Sequence, residues 1–368
     1  MKEIVSLTSL RGVAASIVVI YHLSPGICES IGCQAGLPFF SNGQLMVDFF
    51  FILSGFILTY AYASGRWTRG NWADVRGFLL RRFARIYPAH FFMLIVFIAY
   101  ELVDVFVHTM ILDSSDGVWF IGSTSVASIF SNVLLIHSWG IHDTLTWNQP
   151  SWSISAEFAA YIVFPILAWH SPIRRIPGIA AAVTAILFMI LAGVEWNMGH
   201  LTGGYSMGVL VCVAEFIFGM VLYLWVSPFR SMENRGLSLL QIANVTGIVL
   251  VMTLDLSEIL LVALFGLLIV CCRDDRGGLG WILALPVPLW LGRISYSLYI
   301  THYIFIRIFD APWERLIPAN LHFEEHWSLA VISAEGIFIL GFSYLTYRFV
   351  ELPGRKWILD RAKYFHAD

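Results

Sequence analysis

Charge is scarce in this chain. Asp, Glu, Lys and Arg make up 13% of its 368 residues, against 58% hydrophobic ones. A soluble domain carries about a quarter charged residues, so a soluble enzyme or binding module is excluded. Mean hydropathy is +0.75. The net charge of −3 matters less than where the charges stand, and no nucleic-acid partner is expected. The five cysteines are too few for a disulfide scaffold. Low-complexity tracts, flexible linkers and repeats of 20–50 residues are missing. That leaves one membrane domain over 1–350 and a short cytoplasmic tail over 351–368. HExxH, P-loop and CxxC motifs are missing too, and no metal is expected. GYSMG at 204–208 matches the nucleophile-elbow pattern, but that motif needs a strand–turn–helix context. Ser206 opens a membrane helix instead.

What the chain has is long apolar runs. Ten of them, each near the ~20 residues a helix needs to cross a bilayer, fall near 7–24, 44–63, 86–107, 154–170, 178–195, 206–226, 237–254, 257–272, 293–309 and 328–348. The expected fold is an all-α, polytopic transmembrane bundle of about ten helices. The stretch 126–139 is apolar but short, and reads as re-entrant or interfacial. Loop charge sets orientation. With both termini inside, all but Arg307 and Arg315 of the 22 Lys and Arg are cytoplasmic, which predicts an N-in, C-in topology. Arg11 interrupts the first run and no small-x-small site follows His22, which argues against a signal peptide. Cys28 and Cys33 share the first outside loop. They are either paired in an oxidising periplasm or two separate thiols.

Polar groups inside apolar runs carry the functional signal. Arg11 and His22 are eleven residues apart, which returns them to one helix face, roughly 16 Å apart along the axis. A central arginine costs at least ~2.5 kcal/mol in lipid, so something must offset it. Asp48, in QLMVDFFFILSGFIL, is either a functional carboxylate or an interfacial one near the outer end. Gly55, beside Ser54, reads as a helix-packing position. Arg82 and Arg85, in FLLRRFARIYP, share a face. They are either positive-inside anchors or a site for a phosphorylated ligand, since six Arg and no Lys stand between 66 and 85 and Arg grips phosphate bidentately. In NQPSWSISAEFAAY, Ser153 and Glu157 share a face; both a helix N-terminus with Ser153 as cap and a site fit them. Trp147 and Trp152 suit an interfacial belt or the lining of a sugar site. Ser295, Tyr299 and His302 form an i, i+4, i+7 stripe that must face protein or water, for interhelical hydrogen bonding or for catalysis. His22, His137 and His302 show no metal-ligand spacing.

The stretches SLRGVAASIVVIYH, VDFFFILSGFIL, RRFARIYP, WSISAEF, LGRISYSLYITH and FVELP follow in this order over nearly the whole chain. Each is weak alone. As an ordered set they resemble the acyltransferase 3 family of bacterial membrane proteins, which O-acylate surface glycans. The resemblance implies a ten-helix domain in the bacterial inner membrane. It would move an acyl group, most commonly acetyl, from cytoplasmic acyl-CoA to a hydroxyl of an extracytoplasmic glycan or lipid-linked sugar. The family's basic residue and histidine fall on Arg11 and His22, its R-x-x-R on Arg82 and Arg85, its S-G-F on Ser54, Gly55 and Phe56, and its WSL-type motif on Trp152 to Glu157. The usual E-R-P reads Glu351, Leu352, Pro353 here, which leaves the role of that arginine unfilled. Some members carry a C-terminal hydrolase-like SGNH domain; none is expected here.

On this reading His22 is the general base, because its unperturbed pKa lies near 6.5. Arg82 and Arg85 hold the phosphates of CoA, with Ser54 also on the donor side. Arg11 contacts the CoA arm or the thioester carbonyl. Asp48 or Glu157 orients His22 or grips the acceptor, and Trp152, Ser153, Tyr299 and His302 line the acceptor side. Direct transfer is simpler than an acyl-His22 intermediate. Two rivals stand beside it. A secondary transporter also places charges at mid-membrane, and predicts inverted repeats with broken helices in matched halves. An intramembrane esterase lacks a nucleophile with a base beside it.

Overall fold

The computed structural model describes residues 3–31, 37–62, 72–107, 109, 120–170, 177–201, 207–226, 233–309 and 325–364. Each of the ten apolar runs lies on a helix. The first four helices are α1 (Val5–Ile31), α2 (Met46–Tyr62), α3 (Trp72–Phe106) and the short α4 (Val126–Val133). Then come α5 (Trp152–His170), α6 (Pro177–Met198), α7 (Gly208–Val226), α8 (Asn234–Thr253) and α9 (Glu258–Cys272). The last are α10 (Gly277–Leu283), α11 (Pro286–Phe309), α12 (Glu325–Thr346) and α13 (Leu352–Tyr364). No strand occurs among the described residues. That suits a backbone which must satisfy its own hydrogen bonds in lipid.

Eight helices among the described residues are long and apolar enough to cross a membrane. They become nine if α10 and α11, bent by 72°, form one broken span. α9 has 15 residues, fewer than the ~20 of a full crossing, and accounts for the difference from the expected ten. The chain is a multi-pass membrane protein. Within 126–139 only the eight residues of α4 are helical, too few to cross.

Two close helix contacts position the site. Gly12 of α1 and Gly292 of α11 let those backbones touch: a Cβ on Gly12 would stand 2.8 Å from Leu291 Cβ, and one on Gly292 3.0 Å from the Ser9 nitrogen. The same offset of 280 residues recurs where His22 meets His302. The two helices are therefore parallel and in register, and their polar stripes face each other. The start of α1 is fixed by the Asp275 carboxylate, which accepts from the Val5 and Ser6 N–H groups at 3.2 and 2.7 Å. These are donors that a helix N-terminus otherwise leaves unpaired. The second contact joins α2 to α7: Gly55 abuts the backbone of Phe216, and Gly219 that of Ile52 and Phe56. Gly55 is a packing residue, as expected.

α3 has 35 residues, about 52 Å of helix against a hydrocarbon core of about 30 Å, so part of it stands clear of the lipid core. After α12 a π-helical turn, Tyr347–Glu351, leads into α13, and Ala330–Ala362 runs on as one helical span. α13 lies along the N-terminal half of α3, with Gly354 seated against Pro88.

Candidate active site

A cavity of about 130 Å³ opens between α1, α2, α3, α5 and α11. Arg11 comes from α1, Ser54 from α2, Arg82 and Arg85 from α3, Ser153 and Glu157 from α5, and Ser295 and Tyr299 from α11. Residues spread over nearly 290 positions thus share one wall. Glu157 is anchored twice: it accepts a short hydrogen bond from the Ser54 hydroxyl, and one of 2.6 Å from the Tyr161 hydroxyl. Tyr161 also lines the cavity and was not foreseen, although it stands one helical turn after Glu157. Three guanidinium groups face this one carboxylate. Arg82 Nε is buried with no hydrogen-bond partner, and so is Ser295 Oγ. Buried donors left unpaired are costly, and a surplus of arginine donors fits an anionic ligand.

The far end of the cavity is closed by Ser153 and Tyr299. Their hydroxyl oxygens are 2.8 Å apart and lie 3.0 and 2.9 Å from the Pro150 carbonyl; with one hydrogen each, they make two of these three hydrogen bonds at a time. The capping role expected of Ser153 is corrected here. Gln149–Ser151 form a tight 3₁₀ turn that already leads into the helix, so α5 starts at Trp152 and the Ser153 hydroxyl turns to Tyr299.

His22 and His302 lie just beyond. His22 Nδ1 is 3.2 Å from His302 Nε2 and 3.0 Å from the Val18 carbonyl, and His302 Nδ1 is 2.7 Å from the Tyr299 carbonyl. These contacts assign the protons. A carbonyl only accepts, so His302 carries its proton on Nδ1 and presents a lone pair at Nε2. His22 then donates from Nδ1 to both Val18 and His302, which leaves the His22 Nε2 lone pair free of these bonds. By the 280-residue offset Tyr299 is level with position 19 of α1. His22 is therefore about 4.5 Å further along the axis. It lies off the cavity wall, about one turn past its end.

Other expected residues lie elsewhere. Asp48 is 1% exposed, its carboxylate oxygens have no hydrogen-bond partner, and it is not on the cavity wall. The interfacial reading of Asp48 is thereby corrected, and so is its placement beside His22. Glu215 on α7 is equally buried and unpartnered; an acid in the apolar run CVAEFIF meets the criterion that singled out Asp48. Trp147 is buried and donates from Nε1 to Ser128 Oγ at 2.8 Å, so it is no interfacial residue. Trp152 packs edge-on against Phe51 and under Gly208, off the cavity wall. His137 stacks on His90 with ring planes 6° apart rather than joining His22. No cluster of three His, Cys, Asp or Glu among the described residues is placed to hold a metal. Glu351 of FVELP accepts from Ser297 at 2.7 Å, tying the π-helical turn after α12 to α11. Cys28 is disulfide-bonded; its expected partner Cys33 lies outside the described residues.

Residues 4–358 match the family model for an acyltransferase domain. The chain belongs to the acyltransferase 3 family. Acyltransferase MdmB of Streptomyces mycarofaciens is 30% identical over 362 residues, covering 91% of this chain and 86% of that protein. Peptidoglycan O-acetyltransferase OatA of Listeria monocytogenes is 24% identical, over 96% of this chain and 56% of its own length. O-acetyltransferase OatA of Staphylococcus aureus is 24% identical, over 95% and 57%. This acyltransferase thus spans a little over half the length of the OatA proteins. No solved structure matches it. The family makes the protein an acyl-transferring enzyme rather than a carrier. In keeping with that, α10–α11 is the one broken span among the described residues, without the matched partner that a carrier built from inverted repeats would show.

Proposed function

We propose that this acyltransferase moves an acyl group, acetyl in the first instance, from cytoplasmic acyl-CoA to a hydroxyl of an extracytoplasmic glycan or lipid-linked sugar, in the bacterial inner membrane. The observation that carries the proposal is the gradient along α1 and α11. Three arginines surround one carboxylate in a membrane-embedded cavity, and a neutral histidine pair stands one turn beyond its end. The relatives named O-acetyltransferase, one of them for peptidoglycan, support the acetyl group and a glycan acceptor.

The geometry supports the following chemistry. Arg82 and Arg85 hold the donor's phosphates, and the thioester arm enters the cavity toward Tyr299. The acceptor hydroxyl arrives from the opposite side and gives its proton to His22 Nε2 as its oxygen attacks the thioester carbonyl. The developing oxyanion needs a donor at the cavity end nearest His22, where the Ser153 and Tyr299 hydroxyls stand; Arg11, roughly 16 Å from His22 along α1, contacts the CoA arm. The C–S bond breaks, and the imidazolium of His22 returns the proton to the leaving CoA thiolate. His302 stays neutral and keeps accepting from His22 Nδ1, which stabilises the charged form of His22 when it appears.

The test combines cells and purified protein. Deleting the gene should remove O-acetyl signals from the NMR spectrum of the surface glycan, wild-type protein should restore them, and His22→Ala should not. Unchanged glycan spectra, with no acetyl-CoA turnover by the purified protein in nanodiscs, would refute the proposal.

A further inference from the structure

The cavity that holds Arg11, Arg82 and Arg85 has about 130 Å³ of space. Pockets that enclose a drug-sized ligand run to about 300–1,000 Å³. It can enclose only part of a CoA thioester, here the acylated end of the arm. If the donor is a CoA thioester, its adenosine head must sit elsewhere.

A second cleft of about 660 Å³ lies between α13 and the first turns of α3. Its walls are two helix faces. α13 contributes Leu352, Arg355, Lys356 and Leu359, at the i, i+3, i+4, i+7 spacing of one face. α3 contributes Leu80 and Arg81. The leucines make an apolar floor and the three cations a basic rim, opposed by the carboxylate of Asp360. Arg81 is held from behind, since its Nε donates to the Tyr62 hydroxyl at 3.1 Å. Its terminal nitrogens stand beside Gly77, where a Cβ would come within 3.2 Å of Nη1. Lys356 is one of three lysines in the chain. Arg81 and Arg82 are consecutive, yet one lines this cleft and the other the inner cavity. The two spaces therefore lie on neighbouring faces of one helix.

We infer that this cleft binds the 3′-phosphorylated adenosine end of the CoA donor, with Arg355 and Lys356 of the C-terminal helix on its 3′-phosphate and the adenine ring on the leucine floor. The inference rests on the acyl-CoA donor proposed above and names the part of the protein that reads its head. Leucines between basic side chains fit a base with phosphates. The same cations would also take an anionic lipid headgroup, and the test separates the two.

Full-length protein is reconstituted in nanodiscs of neutral phosphatidylcholine, and binding of acetyl-CoA and of acetyl-dephospho-CoA, which lacks the 3′-phosphate, is measured by calorimetry. Wild type should prefer acetyl-CoA by about tenfold or more, the usual worth of a charge-assisted contact. The Arg355→Ala, Lys356→Ala double variant should erase that preference by weakening acetyl-CoA alone. Arg355→Lys should retain most of it, which a merely structural loss would not. Equal binding of both thioesters by wild type, or an unchanged ratio in the double variant, overturns the inference. In nanodiscs containing phosphatidylglycerol the wild-type affinities should not change. A fall seen in wild type and absent from the double variant would assign the cleft to lipid and overturn it as well. If wild type binds neither thioester, the acyl-CoA reading itself fails. If Arg82→Ala abolishes binding of both while the double variant keeps the wild-type ratio, only the assignment of the cleft fails.

Discussion

Replacing His302 by leucine should slow acyl transfer without weakening donor binding. His302 touches no reacting atom in the scheme above. It accepts from His22 Nδ1 at 3.2 Å while that same N–H also reaches the Val18 carbonyl at 3.0 Å. When His22 takes the acceptor's proton it becomes a cation, and a hydrogen bond to a charged group is worth about 1.5–3 kcal/mol. At 1.36 kcal/mol per tenfold, loss of the whole bond would cost roughly 10- to 150-fold in turnover. Val18 keeps its share of the proton, so the expected loss lies near the low end, about tenfold. His302→Gln should recover most of it, because the amide oxygen can accept in place of Nε2. His22→Ala removes the base itself and should cost about 10²–10⁴-fold. The affinity for acyl-CoA should stay near wild type in all three, since both histidines lie past the end of the cavity.

The assay is acetyl transfer at saturating acetyl-CoA, beside donor affinity and a thermal melt for each variant. Two results would refute the reasoning: equal loss in His302→Leu and His302→Gln, which would mean that packing rather than hydrogen bonding matters, or near-wild-type transfer by His22→Ala. The pH profile is an independent readout. The base must be unprotonated, so turnover should fall as pH falls through the titration of His22, and what activity remains in His22→Ala should lack that acid limb.

Three further outcomes follow from the fold and the arginines. Arg82→Ala or Arg85→Ala should weaken acyl-CoA binding by about 1.5–3 kcal/mol each, read by calorimetry, with the slower change in turnover overcome at high donor concentration. Gly219→Leu forces atoms into the backbone contact between α2 and α7 and should cost at least the ~1–3 kcal/mol of an overpacked core, seen as a lower melting temperature; an exposed-face change such as Ile242→Leu on α8 should not. A cysteine at Ala73 should be shielded from membrane-impermeant thiol reagents in intact spheroplasts and one at Ser123 labelled, and the reverse pattern would overturn the N-in, C-in topology.

Most of the architecture was legible because lipid restricts the choices. An apolar run of about 20 residues has to become a helix, and every run did. The weak point was α9, where the apolar run is too short to settle a crossing from length alone. The convergence of Arg11, Ser54, Arg82, Arg85 and Glu157 was legible only as an ordered set of motifs, since no spacing within a helix links α1, α2, α3 and α5. Polarity in an apolar run told which residues matter but not where they go. Asp48 and Glu157 obey the same rule, yet Glu157 faces three arginines while Asp48 is sealed without a partner. The His22–His302 pair was harder still. It depends on the register of α1 against α11, which Gly12 and Gly292 set, and a glycine in a sequence does not say which backbone will approach it. The role of α13 was hidden for another reason. Its basic residues look like membrane anchoring until the packing of α13 along α3 brings them to one cleft.

The cavity's charge also makes a demand on the empty protein. Arg11, Arg82 and Arg85 face Glu157 on that wall, and Glu351 lies within electrostatic reach of Arg11 and Arg85, so one positive charge is in excess, and Arg82 Nε has no hydrogen-bond partner. Unpaired buried charge destabilises a fold, and its replacement by an apolar side chain of similar volume is often neutral or stabilising. Arg82→Leu should therefore leave the ligand-free protein as stable as wild type or more so. The anionic donor reverses the ranking. A ligand that binds only the folded state adds about 2.7 kcal/mol at a hundred times its Kd, so acyl-CoA at that level should raise the wild-type melting temperature and that of Arg82→Leu by about half as much or less at the same concentration, its Kd being roughly 10- to 150-fold higher. Thermal melts in nanodiscs, with and without acyl-CoA, decide it. If Arg82→Leu melts well below wild type without ligand, Arg82 is a structural cation satisfied by the protein itself. If instead both proteins gain equally from acyl-CoA, the arginine does not touch the donor. Either result removes the argument that this membrane bundle tolerates its buried arginines because a substrate completes them.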